Sequence, residues 1–460
     1  MFLQYLPYIC IYALIAYLIV YVRYLRPVGP IEEQFVAIWC VLMPVTGTLL
    51  FSGLQGTIPA YMMAFLSFPL VYLKVRSGEM TPAVGQYMKS LLIVTMIWLF
   101  LLVTSQMGLI MSNRFDFESI NLMDPNDTTT VVFRKTIFTQ SLYLLACVFI
   151  ALYFRYFFQE RWLKYVYWGA LFLALYGIYE WLFYLVFQQS GDILVNRAFG
   201  DHTASWTQGI SFGGINMVRI KSTLGEPTFF SGVVIPYLFL ALDGRQKVLS
   251  GLLLFTAVFS TSTALYLTLP AVLFIQCFWS GVIKWRYLGI FGLVALFIFG
   301  MAMLFPETFR GTFEDKFSGN NDSGSSRLNS LANLMDLLDT YTIPNWLFGV
   351  GFGTAYLSIL TGLLVNTGFV GLIVFLYVIL KPLILLPAEP GSEGLKAALL
   401  GILVLGSLSL SELFLPTTWM FFGIAYWKLD QLRLARQEAN LRAAEAYRAR
   451  FLTSRAPTKV

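Results

Sequence analysis

The chain has 460 residues, of which 58% are apolar or aromatic and 12% are charged. A soluble globular chain carries charge on about a quarter of its residues. This composition excludes a soluble enzyme, a disordered chain and a nucleic-acid binder whose +6 charge tracks a phosphate backbone, and leaves a polytopic, all-α integral membrane protein.

Phe2 to Val22 lacks a basic leader and a small-residue cleavage site, and is long enough to span, so a first span is expected there. Further apolar stretches follow near 35–52, 58–73, 90–110, 136–155, 165–187, 228–242, 248–262, 264–282, 287–305, 358–380, 397–411 and 415–427. About 12–14 transmembrane helices are therefore expected. The Ser/Thr-rich 248–263 stretch is a candidate for a broken or re-entrant helix lined by protein. Cys10, Cys40, Cys147 and Cys277 each fall in an apolar stretch without metal-ligand spacing, which predicts buried thiols.

The charges between spans set an orientation. Alternate loops and the tail collect 22 of the 31 basic residues, among them Arg23, Lys74, Arg155, Arg161, Arg245, Lys284 and Lys396. The other nine share three loops with thirteen acidic residues. By the positive-inside rule the N-terminus is predicted outside and the C-terminus in the cytoplasm. The tail from Trp427 to about Arg450 reads as a surface helix along the membrane or in the cytosol. The chain then divides into spans at 1–187, an outer loop at 188–227, spans at 228–305, an outer loop at 306–357, spans at 358–427 and a basic tail at 428–460.

A third polar excursion lies at 111–135, but the two larger outer loops are where chemistry is expected. The loop at 188–227 holds Asn196, Arg197, Asp201 and His202, the only histidine, then Arg219, Lys221 and Glu226 before Pro227 re-enters the membrane. The loop at 306–357 holds Arg310, Lys316, a Gly/Asn/Ser stretch over 318–326, and Arg327 ahead of leucines at helical spacing. Arginines on two loops with carboxylates nearby suit a phosphorus anion held by guanidinium donors, with a carboxylate to take a proton from a sugar hydroxyl. Ordinary loop ion pairs account for the same residues equally simply. Gly349, Gly351 and Gly353 read as a tight turn, since no strand precedes them as in a phosphate loop. Two acids fall within spans, Glu180 and Glu412; each either lines a cavity, pairs with an outer-loop Arg, or snorkels to the surface. Tyr176, Tyr179, Trp181 and Tyr184 suit a sugar-stacking surface or an interfacial aromatic belt. No His/Cys/carboxylate spacing of a metal site occurs in the outer loops, and no cofactor motif is present.

The order Arg219-x6-Glu226-Pro227, Ser260-Thr261-Ser262-Thr263-Ala264, Ser326-Arg327, the run from Leu347 to Gly353, and Asn366-Thr367-Gly368-Phe369-Val370-Gly371 resembles the bacterial O-antigen polymerase and O-antigen ligase superfamily over roughly 215–430. The resemblance implies a GT-C-like membrane glycosyltransferase with its site on the outer face of the bacterial cytoplasmic (inner) membrane. Its substrate would be an oligosaccharide linked through pyrophosphate to undecaprenol, with membrane lipids and a chain-length regulator as expected partners and no metal required. It casts Arg219 and Arg327 as pyrophosphate ligands, Lys221, Arg310 and Lys316 as supporting cations, and Glu226 as base. The alternative for Glu226 is a helix N-terminal acid facing the dipole beside Pro227. Ligases carry a histidine after the Gly-rich turn; 354–366 has none, which favours the polymerase branch. Thr263 stands where many relatives place Arg. A ligase acting on lipid A–core and a transporter of lipid-linked sugars are the rival readings; the latter lacks the internal repeat transporters commonly show.

Overall fold

The computed structural model describes residues 2–76, 81–111, 121–124, 132–197, 208–212, 215–279, 284–310, 334–408 and 410–454. His202, Lys316, Arg327 and the 318–326 stretch lie outside the described residues.

Every apolar stretch expected to span falls on a helix in whole or in part. In chain order these are α1 (Phe2–Val20), α2 (Ile31–Leu42), α3 (Pro59–Arg76), α4 (Pro82–Met111), α5 (Lys135–Phe157), α6 (Leu163–Phe187), α7 (Pro227–Asp243), α8 (Lys247–Phe259), α9 (Thr263–Trp279) and α10 (Trp285–Leu304). After two short helices, α11 (Pro306–Phe309) and α12 (Ile343–Phe348), come α13 (Ile359–Leu385), α14 (Glu393–Leu408) and α15 (Pro416–Ser454). Among the described residues, six helical segments are long and apolar enough to cross a membrane: Tyr5–Leu25, Pro82–Met111, Lys135–Phe157, Glu160–Phe187, Trp285–Leu304 and Ile359–Leu385. Three shorter apolar helices, α7, α8 and α9, join them. The protein is thus an all-α, multi-pass helical membrane protein.

The packing follows from which helices are apolar all round. Helix α7 is buried from Phe229 to Ala241 and forms the centre of the bundle. Helix α14 lies along it, α15 packs along α5, and α2 packs along α6. The outward faces of α4 and α10 expose large apolar side chains such as Leu92, Phe100, Leu296 and Phe299, as a lipid-facing surface does. Cys40, Cys147 and Cys277 are buried and Cys10 is half-buried, all with free thiols.

Two departures from the sequence expectation matter. The stretch predicted as one span at 35–52 is helical only to Leu42; Pro44 and Gly47 follow, and 43–58 runs as irregular backbone, buried up to Leu49. The expected surface helix of the tail is instead the continuation of the last apolar helix, since no Pro or Gly interrupts α15 after Gly423.

Ionic groups collect at two ends of the bundle. At one end Glu33 accepts from the Tyr165 hydroxyl at 2.6 Å and pairs with Arg161 at 3.3 Å and Lys164 at 3.6 Å. Glu32 pairs there with Lys74 at 2.8 Å. Glu393 pairs with Lys284 and Arg286, and the Asp243 carboxylate accepts from the N–H groups of Gly391 and Gly394 at 3.0 Å, satisfying the entry to α14. Glu33→Ala strands the Tyr165 hydroxyl, and about 1–3 kcal/mol of stability should be lost. A lowered Tm in detergent checks this; an unchanged Tm contradicts it.

Candidate functional site

The opposite end gathers the irregular segments: 43–58, 188–197, 219–226, the 260–262 turn, 349–358 and 410–415. They hold one another by hydrogen bonds that link distant parts of the chain. Gly47 donates its N–H to the Thr223 carbonyl at 2.8 Å, and its carbonyl accepts from the N–H groups of Asn196 and Arg197, both at 3.0 Å. The Asn196 side chain accepts from the Leu49 N–H at 2.6 Å and donates to the Leu49 carbonyl at 3.1 Å. Irregular backbone at membrane depth is tolerated only when its polar groups are met in this way.

The glycine-rich turn behaves as expected and does more. Gly349, Gly351 and Gly353 all have positive φ, and the turn packs against the break in α13 at Gly368 (φ 63°, ψ −168°). Val350 donates to the Val365 carbonyl at 2.9 Å, and the Asn366 side chain bonds both the N–H (2.8 Å) and the carbonyl (2.9 Å) of Ala355. The two motifs, separate in sequence, form one unit that presents Tyr356.

Arg219 lies on the strap between the hairpin Gly209–Phe212/Ile215–Val218 and α7. Its guanidinium grips the turn between α8 and α9: Nε donates to Thr261 Oγ1 at 2.9 Å and to the Ser260 carbonyl at 3.2 Å, and a terminal nitrogen donates to the Thr261 carbonyl at 3.0 Å. The other terminal nitrogen donates to Gln208. Thr261 has φ +45°, an unusual state for a β-branched residue, so the arginine holds a strained turn in place. The 248–263 stretch, expected as a broken or re-entrant helix, is α8 ending in this Ser/Thr-rich turn before α9, and Arg219 is the turn's clamp.

Lys221, expected as a ligand-facing cation, is fully buried between Glu180 (3.1 Å) and Asp192. Burial alone would lower its ammonium, but the two carboxylates outweigh it and hold it above its ordinary value. Glu180, predicted to line a cavity or pair with an outer-loop Arg, pairs with this lysine; its neighbour Tyr176 hydrogen-bonds Asp192 at 3.0 Å and is turned into the protein. Glu226 caps the start of α7 by position, with Pro227 at the first helical residue, but its carboxylate makes no capping hydrogen bond. Arg310 is exposed at the end of α11.

Glu412, for which pairing with an outer-loop Arg was one expectation, makes that pair and stands in a wider grouping. Arg197 pairs with Glu412 at 3.6 Å, both side chains partly open to solvent at 15% and 13% exposure. Ser411 donates to the Tyr356 hydroxyl at 2.8 Å. Burial, then the Glu412 charge, and then that of Glu226, push the Tyr356 phenol up from its ordinary value. Tyr61 and Tyr143, stacked at 5.6 Å, both reach Phe414, two residues from Glu412: the Tyr61 hydroxyl donates to its carbonyl, and the Tyr143 ring lies 6.2 Å from its ring. A carboxylate, a guanidinium and three phenols therefore meet from five stretches of chain. Among the described residues no three His, Cys, Asp or Glu side chains are placed to hold a metal ion. No family model, curated protein or solved structure matches this chain.

Proposed function

We propose that the protein is a lipid-linked polysaccharide polymerase, an inverting GT-C-type glycosyltransferase with 12–14 crossings. It moves a growing glycan from undecaprenyl pyrophosphate onto a lipid-linked repeat unit at the outer face of a bacterial cytoplasmic membrane. The observation that carries this reading is the Arg197–Glu412 pair beside Tyr356, with Glu226 at the start of α7, at the end of the bundle where the irregular segments collect. A sugar hydroxyl entering there finds a carboxylate to take its proton and phenols to pack against. Arg219, together with Arg327 from the other loop, is assigned the departing diphosphate, where guanidinium donors stabilise the charge that develops as the glycosidic bond breaks.

The test is elongation of lipid-linked repeats by the purified protein in detergent. A ladder of products supports the polymerase; transport without elongation, or transfer only to lipid A–core, replaces it with the transporter or the ligase. Within that assay Arg219→Lys should retain partial activity, since charge stays while the fork of donors to Ser260 and Thr261 is lost. Arg219→Ala should fall further, by about 100-fold or more if it meets the developing charge. An Arg219→Ala protein as active as the parent removes this residue from the site.

A further inference from the structure

We infer that Lys221 is a positioning residue, the hub of a buried three-way ion lock that sets where Arg219 and Glu226 stand relative to Arg197. Its catalytic consequence rests on the polymerase reading; the lock itself does not.

The lock joins three pieces of chain that lie apart in sequence. Glu180 comes from α6, Asp192 from the segment that ends at Arg197, and Lys221 from the strap that runs from Arg219 to Glu226. All three side chains are essentially excluded from water. An ammonium carries three donors and no acceptor, and here two carboxylates face it, so the cluster holds a net negative charge when all three are ionised. Two buried carboxylates at this spacing do not remain together without the cation.

Each carboxylate also fixes backbone. Glu180 accepts from the Ser222 N–H at 3.1 Å, and the Ser222 hydroxyl donates to the Leu173 carbonyl at 2.7 Å. Ser222 has φ +53°, so these contacts hold the strap in a turn it would not adopt unaided. Asp192 accepts from the N–H groups of Leu194 at 3.2 Å and Val195 at 3.0 Å, shaping the turn that leads to Arg197. The Tyr176 hydroxyl accepts from the N–H groups of Ile193 at 3.0 Å and Leu194 at 3.1 Å. One cation therefore pins both straps to the same helix: Arg197 follows one pinned turn by two residues, and Glu226 follows the other by four.

Hydrogen exchange on the purified full chain tests the lock, with Lys221→Met and the neutral triple variant Lys221→Met/Glu180→Gln/Asp192→Asn. In Lys221→Met, exchange across 192–197 and 219–224 should rise at least tenfold while α5 and α7 stay protected. Unchanged exchange in those segments overturns the inference. If Lys221→Met unfolds throughout, the triple variant decides: loose straps on a protected bundle support the lock, and straps as protected as the parent's overturn it. In the elongation assay kcat should fall at least tenfold with KM for the lipid-linked donor within about twofold. Loosened straps with unchanged kcat also overturn the positioning role. If the parent protein elongates nothing, the polymerase reading fails on its own, and the exchange comparison still decides the lock.

Discussion

Replacing Glu226 by Gln should abolish elongation, with a fall of about 100-fold or more as expected for removal of a general base, and cells carrying it should accumulate single repeat units. The substitution keeps size and polarity and removes only the ability to take a proton. The side chain makes no capping hydrogen bond to the start of α7, so that helix should form normally. Glu412→Gln is the informative partner. Glu412 is paired with Arg197 at 3.6 Å and lies beside Ser411, which bonds Tyr356. A variant that loses activity only at Glu412 would move the base assignment to that residue. If Glu226→Gln cells still make long chains that go unattached, the polymerase reading gives way to the ligase.

The second large effect is structural. Gly368→Ala should destabilise the protein by about 3 kcal/mol or more. The φ/ψ pair at Gly368 is open to glycine almost alone, and a Cβ there would lie 2.3 Å from the Leu347 carbonyl carbon and 2.4 Å from Phe348 N. Those are backbone atoms, which cannot rotate away. The Gly349 turn crosses the same place, where its own Cβ would meet the Asn366 carbonyl carbon at 2.4 Å. The variant should lose the monodisperse peak on size exclusion. Gly289→Ala, in α10 with open space around the added carbon, is the control and should behave as the parent. A Gly368→Ala protein as stable as that control would contradict the close packing.

What the sequence made legible was whatever depends on local composition. Apolar length located each helix, because a buried or lipid-facing helix must be apolar along most of itself. The glycine turn was readable because positive φ leaves a compositional trace. Pairings between remote residues left none. An outer-loop Arg was expected as one possible partner of Glu412, but which arginine was not readable, since Arg197 lies 215 positions earlier among several others. Lys221 was read as a ligand because a lysine beside an arginine looks like part of a basic patch; the two carboxylates that enclose it come from a helix interior and a different turn. The end of α2 at Leu42 was masked by apolar residues that are buried in irregular form, where hydropathy is the same as in a helix. The joining of the tail to the last apolar helix was missed because polarity changes at Trp427 while the helix does not.

The segment at 43–58 also constrains the order in which this protein is assembled. Its carbonyls and amides find their partners at Asn196, Thr223 and, for Met43, the hydroxyl of Thr417, 374 positions downstream. While the ribosome is still translating the middle of the message, those groups have nothing of the chain's own to bond. Bare peptide groups are costly in hydrocarbon, so the newborn segment has to stay wet, at the insertion machinery or the interface, and sink into place only after the final helix arrives. Integration of this region is a closing event of biogenesis, and nascent chains halted short of Thr417 should still present it to water-soluble labelling reagents.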